Sequence, residues 1–310
     1  MDSSELYHVK QQFVLGAYTS LVKSPLPDPN SPDYHLALLY QARAYIALND
    51  TTSALNLIPD GTDNVALKAA ASLAQYIAAK DDTSGEAALE ELRDLAVEIE
   101  GDDVQGTERD KELVRVLAGT AFARAGEIEE ALESLGTETE DLEAVAVIVQ
   151  IYLSINRPDL AKKEFDRAKR WAEDDLLLQL IESSIGLVTG KDNYSNTLSF
   201  YTEQIGNPSL TSPHLLTARG VTRILRNEIP EARSDLEESL GQQPQDAESL
   251  AAFTVAAGLG AGKRSEAADA WSKFETEHPS HPLVIDVTNK AALFDEAVTK
   301  FTVPPAIGAH

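Results

Sequence analysis

Gly119-Thr120-Ala121-Phe122-Ala123-Arg124-Ala125-Gly126-Glu127-Ile128-Glu129-Glu130-Ala131-Leu132-Glu133-Ser134-Leu135 carries the arrangement that decides the fold. Gly119 stands twelve positions before Ala131, Gly126 five before it, and Leu135 four after. A glycine or asparagine can take the left-handed backbone that ends one helix before the next begins. The alanine marks the place where the second helix crosses the first, because only a small side chain permits that approach. Leu135, one turn further along the same face, fills the space beside the crossing. The same frame surrounds Ala54 (Ala42, Asn49, Ile58), Ala161 (Val149, Asn156, Phe165), Ala232 (Gly220, Asn227, Leu236) and Ala267 (Val255, Gly262, Trp271). Weaker frames surround Thr197, with two residues inserted after Gly190; Ala88, with Thr83 at the junction; and Leu21, with Gly16 before it but Pro25 after. Anchors at 21, 54, 88, 131, 161, 197, 232 and 267 are separated by 33, 34, 43, 30, 36, 35 and 35 residues, which cluster near 34.

No segment alternates with period two, and helix starts are marked by Ser212-Pro213, by Asp246 and by Thr83 with Glu86 as a capping box. The chain is read as all-α, about eight antiparallel helix pairs whose apolar faces only neighbours can cover. Such pairs stack into a curved superhelix with one concave surface. The period and the pattern small-x2-aromatic, with Ala-x3-bulky after it, resemble the tetratricopeptide repeat; Ala42-x2-Tyr45, Gly119-x2-Phe122 and Val149-x2-Tyr152 carry its aromatic position, and Pro244 its frequent end. Gly186, Arg223 and Gly258 replace the aromatic in repeats six to eight, which are therefore expected to be looser or differently packed. One solenoid domain over 1–310 is expected, with loops at the proline-rich Ser24–Asp33 and the acidic Glu98–Asp110. Leu283–Lys300 is expected to form a terminal helix that caps the open end with Val284, Val287, Ala291, Phe294 and Val298.

Of the 310 residues, 51 are Asp or Glu and 26 Lys or Arg, a formal net charge of −25, and cysteine is absent. Disulfides, cysteine metal ligands and a cysteine nucleophile are excluded. The charge repels phosphate backbones and anionic headgroups, so nucleic acid and direct membrane docking are disfavoured. Met1-Asp2-Ser3-Ser4-Glu5 opens no secretory signal, and runs such as Val145–Val149 fall far short of the roughly 20 residues a bilayer requires, so a cytosolic protein is expected. The sequons at Asn49 and Asn193 then read as accidental. Gly258–Lys263 departs from a phosphate-binding loop, with Ala257 and Arg264 at its diagnostic positions and no strand before it. His278 and His281 are each followed by proline and read as a linker, and the acidic pairs Asp174-Asp175 and Glu237-Glu238 as solvated helix faces. No catalytic, cofactor or metal residue is assigned; a protein–protein interaction role is expected instead of an enzyme.

The concave surface is therefore the working part. The first helix of each pair should turn inward Leu39, Arg43 and Ile46; Val116, Thr120 and Ala123; Gln150 and Leu153; Leu180, Ser184 and Leu187; and Thr217, Val221 and Ile224. That lining is apolar and holds essentially one cation, Arg43, which disfavours a clamp for a peptide's terminal carboxylate. An apolar wall must be covered, so a partner segment is expected to occupy it.

Glu5-Leu6-Tyr7-His8-Val9-Lys10, Phe13-Val14-Leu15-Gly16-Ala17-Tyr18, Tyr40-Gln41-Ala42-Arg43-Ala44-Tyr45, Gly126–Leu135, His281-Pro282-Leu283-Val284 and Lys290-Ala291-Ala292-Leu293-Phe294-Asp295 resemble the coatomer epsilon subunit family, nearly end to end. The resemblance implies a non-enzymatic subunit of the COPI vesicle coat, peripheral on Golgi membranes and vesicles, acting in Golgi-to-ER retrieval and intra-Golgi transport. It implies a bracelet of repeats around an extended hairpin of the alpha subunit's C-terminal domain, with other coat subunits met indirectly. A generic tetratricopeptide-repeat adaptor for exchangeable peptides is the alternative.

Overall fold

The structure, a computed structural model, describes residues 3–101, 106–136, 138–190, 193–259 and 264–301, and among these it holds helices and no strand. The helices are ordered as hairpins: α1 (Ser4–Val14) and α2 (Tyr18–Leu21), α3 (Tyr34–Ala47) and α4 (Thr51–Leu57), α5 (Val65–Ala78) and α6 (Asp82–Glu98), α7 (Glu108–Ala125) and α8 (Ile128–Leu135). Then come α9 (Leu142–Ser154) and α10 (Pro158–Ala168), α11 (Leu176–Thr189) and α12 (Asn193–Ile205), α13 (Pro213–Leu225) and α14 (Ile229–Gln242), α15 (Ala247–Gly258) and α16 (Arg264–Glu277), and finally α17 (Pro282–Thr299).

The junction residues take the backbone their type permits. Asn49, Asn156 and Asn227 lie at φ 61°, 58° and 62°, and Gly16 and Gly126 at 73° and 85°. The next N–H then reaches back to the helix it has left: Asp50 to the Tyr45 carbonyl at 2.9 Å, Glu127 to Phe122 at 2.9 Å, Arg157 to Tyr152 at 2.7 Å. Those bonds satisfy carbonyls that the helix end would otherwise leave bare. Gly262, the corresponding residue of the eighth hairpin, lies outside the described residues, as does most of the Gly258–Lys263 stretch.

The anchors fall at the helix crossings. Leu21, Ala54, Ala88, Ala131, Ala161, Thr197 and Ala232 are all buried, and Gly119 and Gly220 show why their partners must be small. A Cβ on Gly119 would stand 2.5 Å from Leu135 Cγ, and one on Gly220 2.9 Å from Leu236 Cγ. The bulky residue of the second helix therefore occupies the room that a side chain on the first would take. The sixth and seventh hairpins are as tight as the others at Tyr201 and Leu236, against the expected looseness, because anchor and bulky residue need no aromatic beside them. Only the eighth is open: Ala267 and Trp271 are half-buried and Val255 is exposed.

Two expected boundaries move. The cap of α6 is Asp81, which accepts the Ser84 N–H at 2.8 Å, instead of Thr83 paired with Glu86. The 98–110 stretch is not all loop: α6 runs to Glu98, and Thr107 with Asp110 forms a capping box that starts α7. Asp110 Oδ2 accepts the Thr107 N–H at 2.9 Å and Thr107 Oγ1 the Asp110 N–H at 3.2 Å. Acidic residues in a first turn meet the positive end of the helix dipole, so part of the charge run is a helix start. Residues 102–105 lie outside the described residues. The Ser24–Asp33 segment is irregular as expected, pinned by Gln41, whose side chain donates to the Leu21 and Ser24 carbonyls.

The chain divides into two compact units, Met1–Leu215 and Leu216–His310. In the first unit the leading helices of successive hairpins touch in order, α1, α3, α5, α7, α9 and α11, and α1 also touches α11. The row therefore returns on itself. Ser212 secures the return by donating to the Leu15 carbonyl at 2.7 Å while accepting the Leu215 N–H at 3.1 Å. In the second unit, α14 packs on α15 and α15 on α16. Helix α17 docks there through its first turn alone, with Leu283 and Val284 against Leu250, Trp271 and Phe274. The remainder of the stripe expected to cap the solenoid, with Val287, Phe294 and Val298, is exposed, because the contacts of α17 with α15 and α16 end at its first turn.

Alanine at Gly119 gains helix propensity but forces its Cβ into Leu135, and overpacking outweighs propensity. Gly119→Ala is expected to lower stability by about 1–3 kcal/mol. Gly241→Ala, on α14 with open space around it, should raise stability by roughly 0.5–1 kcal/mol. Urea titration of both variants checks the opposite signs.

Candidate functional site

The inner faces of the leading helices are the candidate site, and in the first unit they meet at one polar cluster. Arg43 lies in the middle of α3 and Glu143 in the first turn of α9, fixed there by Asp141, whose carboxylate accepts the Glu143 and Ala144 N–H groups. Arg43 Nη2 donates to Glu143 Oε2 at 2.5 Å, and the Tyr40 hydroxyl donates to Oε1 at 3.1 Å. Phe13 of α1 closes the cluster, its ring centre 4.4 Å from the Arg43 guanidinium carbon. The ion pair is almost dry, with Arg43 and Glu143 side chains 9% and 15% exposed.

Burial alone would push the Glu143 carboxyl up, but the Arg43 charge and the hydrogen bonds from Arg43 and Tyr40 outweigh it and hold Glu143 below its ordinary value. Asp141 has no such cation, and burial together with the Glu143 charge pushes it up to about 6. The single cation of the expected wall is thus consumed by the chain itself.

The other wall positions divide by burial. Leu39, Ile46 and Val116 belong to the closed core of the first unit, with Leu38, Leu117 and Ile148 among their cluster. Thr217, in the second unit, sits in a buried ring of hydroxyls, 3.0 Å from Ser239 Oγ and 2.6 Å from Ser249 Oγ. Thr120, Ala123, Leu153, Leu180, Ser184 and Leu187 in the first unit are half-buried, Gln150 is exposed, and Val221 and Ile224 in the second are half-buried. The wall's hydroxyls do not offer themselves to a ligand: Thr120 donates to the Val116 carbonyl at 2.6 Å and Ser184 to that of Leu180 at 3.0 Å. Apart from the exposed Gln150 amide, what remains presented is methyl and methylene surface. Phe13, Tyr40 and Glu143 are members of the cluster that the sequence does not reveal. The i, i+3 spacing of Tyr40 and Arg43 on one helix face is the available signal, whereas their acid lies a hundred residues away.

A model of the coatomer epsilon subunit family matches residues 2–302. The chain belongs to that family. It is 29% identical to the probable coatomer subunit epsilon of Schizosaccharomyces pombe over 306 residues, covering 96% of each chain. It is 26% identical to coatomer subunit epsilon-1 of Arabidopsis thaliana, over 96% of this chain and 97% of the relative. Solved structures share the repeat architecture: a tetratricopeptide repeat protein from Parabacteroides merdae at TM-score 0.55 and 16% identity, over 81% of this chain and 96% of the other. The Cut9–Hcn1 assembly of the APC/C gives a TM-score of 0.61 at 13% identity, over 93% of this chain and 54% of the other. The fold is the tetratricopeptide-repeat solenoid, and the family is one of coatomer subunits. Among the described residues of this coatomer epsilon relative, no three His, Cys, Asp or Glu side chains gather as a metal site.

Removing one partner of a buried ion pair strands the other, at a cost of about 3–5 kcal/mol. Glu143→Ala should lose that much, and Arg43→Met with Glu143→Leu together should recover most of it, read by urea midpoints. The pH dependence separates the two acids. Glu143, held low, contributes stability that is complete above the unfolded value of 4.5 and is lost as pH falls through its folded value. Asp141, raised from 3.8 to about 6, costs stability as pH climbs between those values. Asp141→Asn, which keeps the cap, should therefore be more stable than the parent above pH 6, and equal midpoints there would refute the burial argument.

Proposed function

We propose that this COPI coat subunit acts by holding an extended hairpin of the alpha subunit's C-terminal domain against its inner wall, and so stabilises the coat used in Golgi-to-ER and intra-Golgi transport. The half-buried, uncharged wall carries this reading. Leu153, Leu180 and Leu187 in the first unit leave apolar surface in water that an enclosed strand pair, apolar on both faces, would cover, and in the second unit Val221 and Ile224 are likewise half-buried. A clamp around a partner also needs no chemistry of its own, in keeping with the family. The chain would stand in the cytoplasm and reach Golgi membranes and vesicles through the coat; no described helix is long and apolar enough to cross a bilayer. The net charge of −25 sets nucleic acid aside as a partner and favours solubility of the assembly.

An adaptor that exchanges peptides by their terminal carboxylates is less well supported. It would need free cations on the wall, and Arg43 is already paired with Glu143. Co-expression with the alpha C-terminal domain and size-exclusion chromatography test the assignment. Leu187→Glu and Val221→Glu should each abolish co-elution, since an unpaired carboxylate buried in an apolar contact weakens binding by a factor of about a hundred or more. Far-UV circular dichroism should be unchanged, and co-elution retained by both variants would refute the inner-wall reading.

A further inference from the structure

In a protein with twice as many carboxylates as cations, residues 162–170 gather five cations, Lys162, Lys163, Arg167, Lys169 and Arg170, around only two acids, Glu164 and Asp166. Elsewhere the arginines staple helices: Arg93 to Glu127 and Glu130, Arg115 to Glu100, Arg219 to Asp235. On α10, Arg167 behaves likewise, gripping Glu164 at 2.9 Å and the Thr139 carbonyl at 2.7 Å. Lys162, Lys163, Lys169 and Arg170 are exposed, and none is in ion-pair contact with a described carboxylate.

Lys162 lines a groove, and Lys169, just past the end of α10, stands near the Phe165 ring that also lines it. Lys162 and Lys169 lie one turn either side of Phe165 on the same face of α10, and the Lys169 ammonium is 5.9 Å from the Phe165 ring centre. Phe165 floors a groove of about 410 Å³ between α10, α11 and α12, with Ile185, Gly186 and Phe200 beneath and Gln179 and Asn196 at the rim. Glu182 is the groove's own carboxylate, on the α11 wall.

We propose that this groove binds a short acidic segment of another protein, with one bulky apolar side chain in the groove and carboxylates on Lys162 and Lys169. The two lysines are about 10 Å apart along the helix, which an extended peptide spans in about three residues. The motif is therefore an apolar residue between two acids, with Lys163 and Arg170 drawing further acids along the outer ridge. A concave site of side-chain size suits a peptide and not a flat bilayer, and an acidic membrane would meet the −25 charge of the rest of the chain. The site lies on a trailing helix and its neighbours, apart from the wall assigned to the alpha subunit.

Panning a displayed library of random dodecapeptides against the full chain, with counter-selection on the Lys162→Glu/Lys169→Glu variant, tests it. Enriched clones should carry an apolar residue flanked by Asp or Glu. A fluorescein-labelled enriched peptide should bind the variant at least about tenfold more weakly, bind Glu182→Gln more tightly, and weaken as salt is raised. Failure to enrich clones that distinguish parent from variant, or enrichment of clones without carboxylates, would overturn the proposal. So would sedimentation with phosphatidylserine-containing vesicles that the variant abolishes, which would give the patch to a membrane.

Discussion

The distance between the two helices of a hairpin is set by a missing side chain. Leu135 and Leu236 project into the space above Gly119 and Gly220, and nothing larger than a hydrogen fits at those positions. Close crossing lets each hairpin present a flat apolar face to the next, and stacking results because no single hairpin can bury that face. Left-handed asparagines and glycines, at Gly16, Asn49, Gly126, Asn156 and Asn227, then fix the entry of the second helix in five of the hairpins. A small turn repeated through six hairpins brings α1 round to α11 in the first unit.

That return gives the acidic chain a nearly dry ion pair between distant hairpins. Arg43 and Glu143 come from hairpins two and five, and they meet only because the row of leading helices curves. Burying them removes the wall's cation from solution and leaves Leu153, Leu180 and Leu187 to define what the wall can hold. Arg93 and Arg233, by contrast, staple neighbouring second helices, Arg93 between α6 and α8 and Arg233 between α14 and α16. Exposed pairs of this kind each add little stability but fix the relative slide of stacked hairpins. Lys162, Lys163, Lys169 and Arg170 make no such staple among the described residues.

Helix pairing and junction chemistry were legible because each is local. Asn49, Asn156 and Asn227 adopt the conformation their type allows, and the anchors from Leu21 to Ala232 are buried wherever the period placed them. The cap of α6 lies two residues before its expected place, since Asp81 and Thr83 offer the same capping group and only the turn geometry chooses between them. The acidic stretch before α7 departs from expectation for a related reason: a charge run and a capping box use the same residues until Thr107 is seen to bond Asp110.

The inner wall was legible only as a set of faces. Leu39, Ile46 and Val116 do face inward, but inward in a row that closes on itself is core, whereas Leu180 and Leu187 keep part of their surface in water. Family, repeat and fold could be read from the order of residues alone, because periodicity of 3.6 within helices and near 34 between hairpins is written in every turn of the chain. Which inward residues are buried, the pairing of Arg43 with Glu143 and the uncovered α17 stripe emerged only when the helices were assembled in space. The first two outcomes depend on curvature accumulated over many hairpins, which is not encoded within any one repeat.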